Sequence, residues 1–168
     1  MPSRYAPIAF LILHSTVLAA DLTPAGAARI DITPKYAVRL SGYGSRRAES
    51  EGVAQPIFAK ALAIGEKDDA IVIVTVDSLG IPYTMTQELE RKLAKSHGLK
   101  PGRLAIAASH THSAPMLTNV APTLFGTPIP PAHQQNIDRY TRELADNLEK
   151  VAVAALNDRK PARLSWAK

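Results

Sequence analysis

Ile71-Val72-Ile73-Val74-Thr75-Val76 is an unbroken β-branched run, and its reading decides the fold. Every residue in it favours extended backbone, and no glycine or proline interrupts it. Such a run is the pattern of a strand covered on both faces. Toward the C-terminus, Thr84 and Gln87 have the spacing of a capping box, and Leu89 and Leu93 give a helix its apolar stripe. Gly98 and Pro101 close that helix. Leu104-Ala105-Ile106-Ala107-Ala108 reads as a second buried strand. A long helix then begins near Pro131, with Ile137, Tyr140, Leu144, Leu148, Val151 and Ala155 at helical spacing. Asn157 to Pro161 breaks it, and Ala162 to Trp166 opens a further strand.

Toward the N-terminus, Phe58 to Ile64 reads as a strand ended by Gly65. Ala27 to Ile32 forms another, stopped at Thr33-Pro34. Between them, Arg39 to Gly52 is a polar, glycine-containing loop whose Arg46, Arg47, Glu49 and Glu51 read as a solvated face. This order predicts an α/β fold, a mixed or mostly parallel sheet with flanking helices and right-handed crossovers. No internal repeat is visible. Because a domain rarely stops as a strand opens, residues 21–168 are expected to be the N-terminal portion of a larger catalytic domain.

Composition narrows the function. Of 168 residues, 46% are hydrophobic and 21% charged, a globular balance. The formal charge of +5 is scattered without a basic run, so no nucleic-acid partner is expected. There is no cysteine, which excludes disulfides, thiolate zinc sites, iron–sulfur clusters and cysteine nucleophiles. Any metal must be held by His, carboxylate or Tyr. Residues 1–20, MPSRYAPIAFLILHSTVLAA, combine one basic residue, an apolar run and a small-residue end. That is the pattern of a cleaved signal peptide, so a secreted or periplasmic location is expected.

The chemistry concentrates in Ser109-His110-Thr111-His112-Ser113-Ala114-Pro115, at the carboxyl end of the Leu104–Ala108 strand. Asp77 stands at the carboxyl end of the Ile71–Val76 strand. Open α/β sheets bind ligands outside these ends, so adjacent strands would bring Asp77, His110 and His112 to one crevice. Histidines two apart on extended backbone point the same way and can share a metal. Alternatively, one binds the metal while the other contacts substrate or relays protons. Asp77 is expected either to support this pocket or to cap its own turn. Gly42-Tyr43-Gly44 lacks the third glycine of a dinucleotide fingerprint. His97, in the last turn of a helix, reads as structural, and His133 as solvent-facing.

Several stretches carry a resemblance. Gly26 to Pro34 is similar to an opening G-x-A-x-x-D-I-T strand, and Ser41-Gly42-Tyr43 to an M-G-Y loop. Ala59-Lys60-Ala61-Leu62 takes the place of R-A-R-A-F, and Val76-Asp77-Ser78-Leu79-Gly80 that of T-D-L-G. Ser109 to Pro115 resembles T-H-T-H-S-G-P. Together they resemble the neutral/alkaline non-lysosomal ceramidases, in a divergent bacterial form. Ala114 departs from the signature's glycine, and Met116-Leu117 from the glycines that follow its proline.

The resemblance implies a zinc-dependent hydrolase of N-acylsphingosine or a related N-acyl amide, a sphingolipid-like substrate consistent with transient contact at a membrane surface. It implies one Zn2+ held by the signature's first histidine, a second histidine, a glutamate and a tyrosine. The first maps to His110, the others to segments beyond this chain. His112 is implied to contact substrate or relay protons. Two alternatives stand beside this one: a catalytically silent secreted domain, and a metal-free serine hydrolase using Ser113 or Ser109 with a histidine and Asp77.

Overall fold

The computed structural model describes residues 22–165. Residues 1–20, read above as a signal peptide, lie outside them, as does Trp166 of the expected last strand. The elements are β1 (Thr23–Asp31), β2 (Phe58–Ile64), a 3-10 turn (Lys67–Asp69), β3 (Ile71–Val76), α1 (Tyr83–His97), β4 (Leu104–Ala108), α2 (Pro131–Asn157) and β5 (Lys160–Ala162).

They form one five-stranded mixed sheet in the order β4-β3-β2-β1-β5. Only β3 and β4 run parallel, joined by the α1 crossover, with Val76 opposite Ala108. The β1–β2, β2–β3 and β1–β5 pairs are antiparallel. The sheet is therefore mixed and not mostly parallel. The short connection from Ile64 to Ile71 suits an antiparallel pair, while the helical crossover after β3 gives a parallel one.

Both helices pack on one face. β2 offers Ala59, Ala61 and Ala63 there, and β3 offers Val72, Val74 and Val76, all buried. α2 crosses β1 and β2, and the small β2 side chains let it approach. The approach is tight at Gly26, where a Cβ would lie 2.3 Å from the Ala155 carbonyl oxygen. Along α2, Ile137, Tyr140, Leu144, Leu148 and Val151 are buried against the sheet. Each such aliphatic side chain contributes roughly 1.5–3 kcal/mol. Tyr140 also donates its hydroxyl to the Ile32 carbonyl at 3.0 Å, tying the helix to the end of β1.

The opposite face is open. Leu62 and Ile73 stand opposite each other in the β2–β3 register, and each is 38% exposed; Ile71 is 40% exposed. β3 is thus covered on one face, contrary to the pattern its β-branched run suggested. Its residues alternate strictly between exposed and buried. β-Branching reports extended backbone, and it does so equally on a covered and an open face.

Three boundaries also differ from expectation. β1 starts at Thr23, because Thr23 to Ala25 pair with β5. β5 itself is Lys160–Ala162 and starts two residues earlier than expected, with Pro161 set opposite Pro24. α1 begins at Tyr83 after Pro82, with no side-chain cap. Thr84 and Gln87 therefore lie inside the helix and form no capping box, since a proline at the boundary already suits the helix entrance.

Candidate functional site

The parallel pairing of β3 and β4 puts their carboxyl ends side by side. The ladder continues one residue further, with Ser109 N–H donating to Val76 O at 3.0 Å. His110 then takes a left-handed conformation, φ 57°. A non-glycine residue pays roughly 1–2 kcal/mol for that geometry, and such strain concentrates where function requires it. The turn means that the histidine pair is not extended, as the two-residue spacing suggested. The rings still approach, with centroids 5.3 Å apart at 63°, brought together by the left-handed turn instead of strand pleating.

His110 Nδ1 lies 2.8 Å from the carbonyl oxygen of Leu79, in the turn after β3. A carbonyl only accepts, so Nδ1 carries a proton, and in the neutral ring Nε2 then keeps its lone pair. This is the arrangement in which backbone carbonyls orient metal-binding histidines. Ser78, buried beside Leu79, donates its hydroxyl to Gly80 O at 3.0 Å and stiffens the same turn.

His112 is enclosed from the other side by the Arg39–Gly52 loop. Gly42, at φ 104°, lies flat against it: an added Cβ would come within 2.4 Å of His112 Cβ and Cγ. The Tyr43 ring meets the imidazole edge-on at 5.0 Å. Arg46 Nη1 donates to His112 O at 2.8 Å. Two backbone bonds, Ser41 N to Ala114 O at 3.1 Å and Met116 N to Arg39 O at 2.8 Å, fasten this loop along the segment after His112. Arg46 is thus part of the site and not of a solvated face. The sequence signal was present in Ser41-Gly42-Tyr43, but the polar run after it reads as solvent-facing because loop hydrogen bonds leave no periodicity.

Asp77 is adjacent in sequence but differently employed. Its Oδ2 accepts from Phe58 N–H at 2.9 Å, while its own N–H donates to Phe58 O at 3.0 Å. The recorded bonds of Asp77 therefore hold the start of β2 against the end of β3. Thr111 and Ser113, which alternate with the histidines, line a separate cavity of about 430 Å³ with Thr33, Tyr36 and Val53. Among the described residues, no hydrogen bond joins the hydroxyl of Ser109 or Ser113 to an imidazole.

The other two described histidines lie on the helices, away from this loop. His97 Nδ1 sits 2.8 Å from Ser96 Oγ in the last turn of α1. His133 is half-buried, its Nδ1 without a hydrogen-bond partner among the described residues, and so does not face solvent as its position suggested. Behind the loop, Arg39 is 2% exposed, stacks 3.9 Å over Phe125 and donates to Arg46 O at 3.2 Å. Burial holds its pKa below the usual guanidinium value, and nearby Arg47 adds to the effect.

As a metal donor set, His110 fits one coordination position through Nε2. Among the described residues, no group of three or more His, Asp or Glu could complete a site. A catalytic zinc needs about three protein ligands.

The family model of the neutral/alkaline non-lysosomal ceramidases, N-terminal, matches residues 24–167. The chain belongs to that family. Its fold is similar to that of neutral ceramidase from Pseudomonas aeruginosa, with TM-score 0.65 and 21% identity over 83% of this chain. It is similar also to a ceramidase complexed with C2, with TM-score 0.63 and 21% identity over the same share. The chain spans 22% of the length of either structure. No curated protein matches it by sequence.

Proposed function

We propose that this chain is the N-terminal part of a secreted, zinc-dependent amidohydrolase that cleaves the amide of N-acylsphingosine or a related N-acyl amide. Membership of the ceramidase family supports the substrate class. The observation that carries the chemical reading is the His110–Leu79 bond, which leaves Nε2 of His110 free at the end of β4. A zinc ion, when bound, would supply Lewis acidity toward the amide carbonyl and bring a water pKa to about 7. His110 holds one coordination position. His112, fixed against Gly42 and Tyr43, contacts the substrate or carries a proton to or from the scissile amide. Asp77 supports the pocket by fixing β2 against β3. The pattern of residues 1–20 supports export from the cytoplasm.

The test is N-acylsphingosine hydrolysis by the product of the full reading frame, with and without chelator, beside His110→Ala. Chelator-sensitive hydrolysis that zinc restores and His110→Ala abolishes supports the proposal. Full activity in His110→Ala overturns it. A second reading, a catalytically silent secreted domain, is favoured by the absence of a three-ligand cluster among the described residues. A full-frame product that neither retains zinc nor hydrolyses N-acyl amides would establish it.

A further inference from the structure

Arg46 makes three side-chain contacts, two of which bear on His112. Nη1 donates to His112 O at 2.8 Å and lies 3.5 Å from Ser41 O. The guanidinium lies 4.9 Å over the Tyr43 ring, the same ring that meets the His112 imidazole edge-on. Arg46 therefore holds His112 twice, at its main-chain oxygen and through the aromatic ring packed on its side chain. The residue itself is anchored: its N–H donates to Tyr43 O at 3.0 Å, and its carbonyl accepts from the buried Arg39.

We propose that Arg46 is a positioning residue for His112, acting as a bracket that fixes the orientation of the imidazole beside His110. Physical chemistry favours arginine here. A charged donor to a carbonyl makes a hydrogen bond roughly twice as strong as a neutral one. The planar guanidinium can stack on an aromatic face while donating at its edge, which an ammonium cannot do. His112 needs such a device, because it lies two residues after the left-handed His110 on a loop whose His112 carbonyl has no backbone donor among the described residues. Arg46 does not touch the reacting atoms and holds no metal. The functional half of this inference rests on His112 acting on the substrate, while the geometric half stands without it.

The test separates the two. Long-range 1H–15N spectra of the 15N-histidine-labelled chain report each imidazole individually and need neither zinc nor substrate. In Arg46→Ala, the His112 ring signals broaden or split while those of His97 and His133 stay in place. Added guanidinium ion restores them, and Arg46→Lys restores them in part. Should Arg46→Ala fail to fold, Arg46→Gln, which keeps a donor without the charge, gives an intermediate perturbation confined to the same ring. In the full-frame protein, Arg46→Ala lowers kcat by roughly 10–100-fold with zinc content unchanged, the usual size of an outer-shell loss. Unaltered His112 signals, or a disturbance spread equally over His97 and His133, overturn the proposal whatever the activity. Absence of hydrolysis in the wild-type full-frame protein overturns the ceramidase reading and leaves the spectroscopic result standing.

Discussion

His110 donates Nδ1–H to the carbonyl oxygen of Leu79 across 2.8 Å, linking the residue just past β4 to the turn just past β3. The two strands are parallel neighbours, so this bond ties their carboxyl ends together. In the neutral ring it selects the tautomer with the proton on Nδ1. The remaining features of the site are arranged around it.

Gly42 sets the space available to His112. A methyl group there would collide with His112 Cβ and Cγ, and the position also has φ 104°. Gly42→Ala is expected to cost at least about 1 kcal/mol and to displace His112. Urea unfolding and histidine NMR would detect both effects, and an unshifted midpoint with undisturbed His112 signals would count against this packing.

Asp77 offers a separation of architecture from chemistry. Asp77→Asn keeps an oxygen that accepts from Phe58 N–H, so stability should stay near wild type. Asp77→Ala leaves that amide unpaired and should cost about 1–3 kcal/mol. If Asp77 supports the pocket only through this bond, the asparagine variant of the full-frame protein also keeps its hydrolysis. A stable but inactive Asp77→Asn would assign the carboxylate a direct chemical role.

Acid sensitivity should trace in part to Asp138. The Thr118 hydroxyl, and then the Gln134 amide, hold its carboxyl below the ordinary value of 3.8. A carboxylate with a lowered folded-state pKa stabilises the fold above the unfolded value, and that contribution disappears as pH falls through the folded one. The stability gap between wild type and Asp138→Asn should therefore be constant near neutrality and shrink below about pH 4. Denaturant midpoints at pH 7 and pH 3 measure it, and a gap that widens in acid would contradict the assignment.

The open sheet face predicts self-association. Leu62 and Ile73 form an exposed cross-strand pair, and contiguous apolar surface of this kind drives contact between molecules. Replacing both with threonine keeps β-propensity and should lower stability by no more than about 1 kcal/mol. Sedimentation velocity should show less association in the variant than in wild type; equal association would place the sticky surface elsewhere.

Much of this architecture was legible in the residues. The β-branched run of β3, the apolar stripe of α2 and the helix between β3 and β4 each follow from periodicity, which reports backbone geometry directly. What periodicity cannot report is partnership. The open face of β3 has the same residue types as its covered face, and the pairing of β1 with β5 depends on a contact across the whole chain. In the site, the Ser109 to Pro115 signature was visible as residue types in order. The left-handed turn at His110 was not, because an ordinary histidine carries no mark of positive φ. Arg46 was hidden for a related reason: its bond goes to a main-chain oxygen, and every residue has one.

The proposed function stands or falls with zinc at Nε2 of His110. Anomalous diffraction at the zinc edge from crystals of the full-frame protein tests it most directly. The expected result is a single strong peak about 2.0–2.1 Å from His110 Nε2, with Nδ1 still bonded to Leu79 O. A peak remote from His110, or one bound through Nδ1 with the Leu79 bond broken, would contradict it.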